Sequence, residues 1–170
     1  MILRPEDGFN FMEVVRESNG GALYAGSQPF EGNLPTLINV MQISVFINLR
    51  REAQYNHVLE KVGFYQLPDP VYWQIGITDG EAPTIPDARV LTIAIDEWLA
   101  QGRKIYMHCH VGCGRCPSVV AAYLIKSEGY TLELAVKKIK AGMCAGQFQD
   151  FLPPQKEFLA RWQNLYGRKI

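Results

Sequence analysis

Residues 108–116 read His108-Cys109-His110-Val111-Gly112-Cys113-Gly114-Arg115-Cys116 and hold three of the four cysteines and two of the three histidines in the chain. Before them, Lys104–His108 (KIYMH) has the pattern of a short strand. After them, Pro117–Ser127 (PSVVAAYLIKS) is apolar nearly all round and reads as a buried helix closed by Gly129. A helix N-terminus presents unpaired N–H groups and a partial positive charge. A loop over it, with Gly112 and Gly114 free to take unusual backbone angles, can form a nest for an anion. Arg115 adds a planar fork of donors suited to phosphate. Cys109, at the strand's end and facing the same anion, sits where a thiol pKa is depressed, so a thiolate is expected at neutral pH. A thiolate held against a phosphate ester is a nucleophile in attack position.

The elements that must position this loop are legible in the rest of the chain. Ile43–Leu49 (ISVFINL) is a β-branched apolar run of the kind buried on both faces of a sheet. Phe9–Val15 and Ala22–Ala25 read as strands around the Ser18-Asn19-Gly20-Gly21 turn, and Phe64–Leu67 and Tyr72–Ile77 as two further strands. Helices are expected at Leu34–Val40 (short), Pro86–Ala100, from a Thr131 cap to Ala141, and Pro154–Tyr166. Strands alternating with helices predict an α/β fold over residues 1–170. Its central sheet would be mostly parallel or mixed and flanked by helices, with the phosphate-binding loop between a strand and a buried helix.

Composition narrows the function. The 170 residues carry 17 Lys+Arg against 17 Asp+Glu, and 48% of them are hydrophobic. That is globular composition in a length that suits one domain. Zero net charge gives no footing for nucleic-acid binding by bulk electrostatics, and no apolar run approaches a membrane span. The first ten residues lack a signal-peptide core, so a cytoplasmic protein without nucleic-acid or membrane partners is expected. Three cysteines clustered in such a chain point to catalysis or metal rather than to a secreted disulfide framework.

The spacing Cys109-x5-Arg115, preceded by His108, resembles the signature of the cysteine-based protein tyrosine phosphatases. The stretch Ile77–Tyr130 is similar to the compact dual-specificity branch, in particular to the kinase-associated phosphatase type, and YAGSQP (24–29) and VFINLR (45–50) extend the likeness. The resemblance implies a phosphocysteine intermediate at Cys109. Arg115 and the amides of His110, Val111, Gly112, Cys113, Gly114 and Arg115 would bind the phosphoryl oxygens. It also implies a general acid on an upstream loop. Asp79, thirty residues before Cys109 and flanked by Gly80 and Pro83, matches that position ahead of Glu81 and Asp87. His108 is expected to orient Cys109 through hydrogen bonds. Gln155, ahead of Gln147 and Gln149, lies where some relatives place a water-orienting glutamine. No metal or organic cofactor is implied.

One departure concerns Cys116, where the family usually carries Ser or Thr. A thiol is the weaker donor, so slower breakdown of the phosphoenzyme is expected. Cys113 and Cys116 are also candidate resolving thiols for an oxidised Cys109, or small hydrophobes that simply pack. The loop carries no permanent cation between Cys109 and Arg115, whereas relatives acting on inositol phosphates or phosphoinositides tend to. The expected substrate is therefore a phosphorylated protein, taken as phosphotyrosine and as phosphoserine or phosphothreonine by a shallow cleft, and the protein is expected to be a monomer. The alternatives are a phosphate-binding pseudo-phosphatase and an inositol-phosphate phosphatase.

Other chemistries fit less well. Cys109-x3-Cys113-x2-Cys116 also spells the cluster triad of radical S-adenosylmethionine enzymes, but only 54 residues follow it, too few for their barrel. A structural zinc site or a thioredoxin-like Cys113/Cys116 pair would leave Arg115 and Asp79 without a role.

Overall fold

A computed structural model describes residues 8–168. Five strands form one sheet: β1 (Phe11–Arg16), β2 (Ala22–Gly26), β3 (Ile43–Arg50), β4 (Val71–Ile77) and β5 (Lys104–His108), in the order β1-β2-β5-β3-β4. Only the β1–β2 hairpin is antiparallel; β2, β5, β3 and β4 run parallel. The helices are α1 (Asn56–Lys61), α2 (Ile85–Ala100), α3 (Arg115–Lys126), α4 (Leu132–Gly142) and α5 (Pro153–Tyr166). The mixed sheet with flanking helices is the architecture expected from the sequence.

Strand alternation builds two cores. Leu23, Ala25, Val45, Ile47, Leu49, Ile105 and Met107 face α2–α5, whereas Ala22, Tyr24, Ile43, Phe46 and Tyr106 face the smaller α1 side. Ile43 and Val45 point to opposite sides despite their even spacing, because the β3–β5 register shifts between them. On the large side α3 is central. Its residues Arg115–Ile125 are all buried, and Trp162 of α5 donates from Nε1 to the Ala122 carbonyl at 2.9 Å. A helix enclosed in this way explains the all-round apolar sequence PSVVAAYLIKS.

One expectation at the level of elements needs correction. Phe64–Leu67 is not a strand: Phe64–Gln66 form a 3₁₀ turn entered through Gly63 at φ 77°. Phe64 is buried against Phe46 in the smaller core, so its apolar character reflects packing rather than sheet pairing. The expected short helix before β3 is present over residues 34–40, with Thr36–Val40 in π-helical form.

Candidate active site

Parallel strands deliver their C-terminal ends to one edge of the sheet, the edge at which open α/β sheets bind ligands. In the register of β2, β5 and β3, Gly26, His108 and Asn48 lie level with one another. The segments beginning at Ser27, at Cys109 and just beyond Arg50 therefore share that edge. β4 adds the loop from Thr78. Cys109, Glu52 and Asp79, distant in sequence, are gathered by this topology alone.

The 109–115 loop closes over the start of α3, which begins at Arg115 rather than at Pro117. Its first half is stitched to the end of β2. The Cys109 N–H donates to the Gly26 carbonyl at 3.3 Å, the Gln28 N–H to the His110 carbonyl at 2.9 Å, and Asn10 Nδ2 to the Val111 carbonyl at 3.2 Å. Gly112 has φ 81°, and a Cβ there would stand 2.7 Å from backbone atoms of Gly26 and Ser27, so both conformation and close approach require glycine.

Cys109 is buried, and its thiol is lowered to about 6. The largest cause is the hydrogen bond from the Cys116 thiol. Burial opposes it, and the N–H groups of Cys116 and Gly112 and the Arg115 charge assist. Cys116 is raised well above the ordinary thiol value by burial, so it stays protonated as the donor. It also lies 3.4 Å from the Gly26 carbonyl. His108 is buried and lowered to about 4, chiefly by burial, and its Nδ1 lies 3.2 Å from the Cys109 carbonyl. The ring is a neutral brace at the Cys109 backbone, edge-on to Tyr55.

Arg115 is 2% exposed. Its Nη1 donates to both Glu52 carboxylate oxygens, at 3.0 and 2.8 Å, and to the Ile77 carbonyl at 3.1 Å; Nη2 lies 3.5 Å from Asp79 Oδ1. Glu52 was not anticipated from the sequence. Its carboxyl is lowered to about 2, first by the hydrogen bond from Arg115. The sequence signal was its position just past the strand that pairs with β5. Asp79 stands at the mouth with its side chain 85% exposed, beside the guanidinium that would hold a phosphate. Asp87 is instead a first-turn residue of α2, its N–H capped by Thr84 Oγ1 at 3.2 Å.

Gln155 is buried with both ends of its amide engaged. Oε1 accepts from the Leu152 N–H at 3.0 Å, and Nε2 donates to the Glu81 carbonyl at 3.3 Å. In this structure it ties α5 to the loop that carries Asp79. Gln147 and Gln149 are exposed and joined to each other by one hydrogen bond. Cys113 requires a correction. It is not a free thiol but forms a disulfide with Cys144, 31 residues later, and cannot resolve an oxidised Cys109 while that bond stands. Cys109 and Cys116 are the free cysteines. Among the described residues no group of His, Cys, Asp and Glu is placed to hold a metal ion.

Comparison with known proteins gives this geometry its context. Residues 23–161 match the dual specificity phosphatase catalytic domain family. The mouse protein phosphatase Slingshot homolog 3 is 26% identical over 146 residues, 85% of this chain and 20% of its own. The tyrosine-protein phosphatase CDC14 of Saccharomyces cerevisiae is 24% identical over 140 residues, 81% of this chain and 24% of its own. The chain thus spans about a fifth to a quarter of the length of these curated relatives. Among solved structures, PTPMT1 superposes with a TM-score of 0.72 at 18% identity, covering 93% of this chain and 95% of its own. Kinase-associated phosphatase does so with a TM-score of 0.68 at 17% identity, covering 95% and 97%. The chain belongs to the dual-specificity phosphatase family, within the cysteine-based protein tyrosine phosphatases.

Proposed function

We propose that the protein is a metal-independent phosphomonoester hydrolase acting on phosphoproteins through a phosphocysteine at Cys109. The observation that carries this reading is a buried Cys109 with a depressed thiol pKa, on a loop that ends in a buried, pre-oriented Arg115. The thiolate attacks phosphorus, the loop amides and Arg115 hold the equatorial oxygens, and Asp79 protonates the departing oxygen. Water then cleaves the S–P bond, with Cys116 stabilising the thiolate as it leaves. Glu52 fixes the fork of Arg115 from behind, leaving its other donors for the phosphoryl group.

The charge around the loop favours a phosphoprotein over a polyanionic head group. His110–Gly114 supply no permanent cation, and Arg115 already faces the carboxylates of Glu52 and Asp79. An inositol polyphosphate would meet Arg115 already paired with two carboxylates, and a further guanidinium, Arg50, is itself held by Glu52 at 3.0 Å. Val111 and Asp79 are exposed at the rim, in keeping with a shallow cleft open to phosphotyrosine and phosphothreonine. The same reading takes the protein as a cytoplasmic monomer. Two of the fold's solved relatives are described by inositol ligands: PTPMT1 in complex with PI(5)P and the PP-IP phosphatase SIW14. Those ligands are therefore the comparison arm.

The test is hydrolysis of p-nitrophenyl phosphate, phosphopeptides and PI(5)P in excess chelator, by wild type and Cys109→Ser. The reading expects vanadate-sensitive turnover of the aryl phosphate and peptides, lost in the variant. Turnover confined to the inositol lipid would overturn the substrate class, and folded wild type without turnover would overturn the enzyme.

A further inference from the structure

The two halves of the 109–115 loop are held differently. The first half is fixed by hydrogen bonds from Gln28 and Asn10 and by the close packing of Gly112 on Gly26 and Ser27. Cys113 and Gly114, between that packed half and the anchored Arg115, have no such bed. A Cβ added at Gly114 would meet nothing within 4 Å, and its backbone angles, φ −118° and ψ −82°, lie outside the helical region. Between Gly112 and Arg115, which Glu52 and Ile77 anchor, the side-chain tie from Cys113–Gly114 to another element is the bond from Cys113 to Cys144, in the short turn between α4 and α5. At the other end of that bond Cys144 and Ala145 both take positive φ, 56° and 52°, a conformation non-glycine residues keep only where surroundings impose it. Both cysteines are partly exposed, within reach of a reductant.

We propose that Cys144, outside the catalytic loop, is a positioning residue that acts through the disulfide to hold the Cys113–Gly114 amides in phosphate-binding geometry, and that reduction of this bond weakens the site. The inference rests on the phosphate-binding reading of the loop. A dithiol supplies the two electrons and two protons. Its thiolate attacks Cys144 Sγ, the Cys113–Cys144 bond breaks, and the reductant's second thiol closes a cyclic disulfide as the protein is left with two thiols. The strained turn then relaxes, and Cys113 and Gly114 become a flexible span whose ordering must accompany anion binding. Because α5 also holds the Asp79 loop through Gln155, the tether links both halves of the chemistry to one segment. Under oxidation the same bond keeps Cys113 from competing with Cys116 for a damaged Cys109.

The test uses Cys109→Ser protein, so that the nucleophile does not confound the thiol chemistry. The oxidised form is compared with protein reduced by dithiothreitol and freed of it. Tungstate binding and hydrogen exchange at the amides of residues 111–114 are measured in each. Reduction is expected to weaken tungstate binding roughly tenfold and to speed exchange at 113–114, with both reversed by oxidised glutathione. Cys144→Ala should match the reduced form and respond to neither reagent. In the Cys109 enzyme the loss should fall on KM more than on kcat. Equal affinity and equal exchange in the two forms would overturn the proposal. So would alkylation of Cys113 before any reductant is added. Exchange that responds to reduction in a protein that binds no tungstate would leave the tether standing and count against the phosphatase reading instead.

Discussion

The Cys109–Cys116 thiol pair sets the protonation chemistry of the site. Cys116 stays protonated and donates the hydrogen bond, while the Cys109 thiol is lowered to about 6. The depressed value makes the nucleophile available above that pH and loses it as pH falls through about 6. Alkylation of Cys109 by iodoacetamide should therefore rise with a midpoint near 6, and Cys116→Ala should move the midpoint upward by removing the leading cause. A midpoint unchanged by the substitution would assign the depression to the backbone amides and Arg115. Cys116→Ser supplies a stronger donor to the departing thiolate and should raise the steady-state rate where breakdown of the phosphoenzyme is limiting. Stopped-flow burst kinetics would show this as a smaller burst followed by a faster linear phase. Glu52→Gln keeps the size of the side chain but weakens the two bonds that hold Arg115 Nη1. Misplacing that fork should lower kcat/KM by roughly ten- to a hundredfold for any phosphate ester.

At the level of elements, the sequence showed the site more clearly than it showed what holds the site in place. The strand-loop-helix unit around Cys109 was legible because an apolar strand, a glycine-bearing loop and an all-round apolar helix follow one another within 25 residues. The Asp79 loop was legible because it falls between a strand and the Thr84-capped helix α2. Glu52 and Cys144 were not, because their roles depend on three-dimensional neighbours. Glu52 meets Arg115 only because β3 lies beside β5 in the sheet. Cys144 meets Cys113 only because the α4–α5 turn lies over the loop. Clustering of the other three cysteines argued against a disulfide and concealed the pairing. Phe64–Leu67 was misread as a strand for a related reason: a short apolar run does not distinguish sheet pairing from packing of a turn. Gly112→Ala tests how tightly the loop is set on β2. The added Cβ meets backbone, not a movable side chain, and φ is positive. The variant should melt at lower temperature, with a loss of about 1–3 kcal/mol or more, and should bind vanadate poorly.

On the scale of the whole molecule, the sheet separates two tasks. The face packed by α2–α5 buries α3, the helix that starts from the 109–115 loop, and the opposite aromatic face carries stability through Phe46, Phe64 and Tyr106. Buried His108, packed against Tyr55 and Tyr106 on the aromatic face, links stability to pH. Its folded value near 4 lies below its unfolded value, so the unfolded chain binds the extra proton. Stability is complete above about pH 6.5 and declines as pH falls toward 4, which urea midpoints across that range would register. No described helix is long and apolar enough to cross a membrane. Covalent catalysis by Cys109 is open to a single decisive measurement, rapid acid quench of wild-type protein mixed with aryl phosphate labelled on phosphorus. Stoichiometric label is expected on Cys109 within the first turnover, absent from Cys109→Ser and persisting longer than in Cys116→Ser. Hydrolysis that proceeds with no label on the protein, or label on another residue, would contradict it.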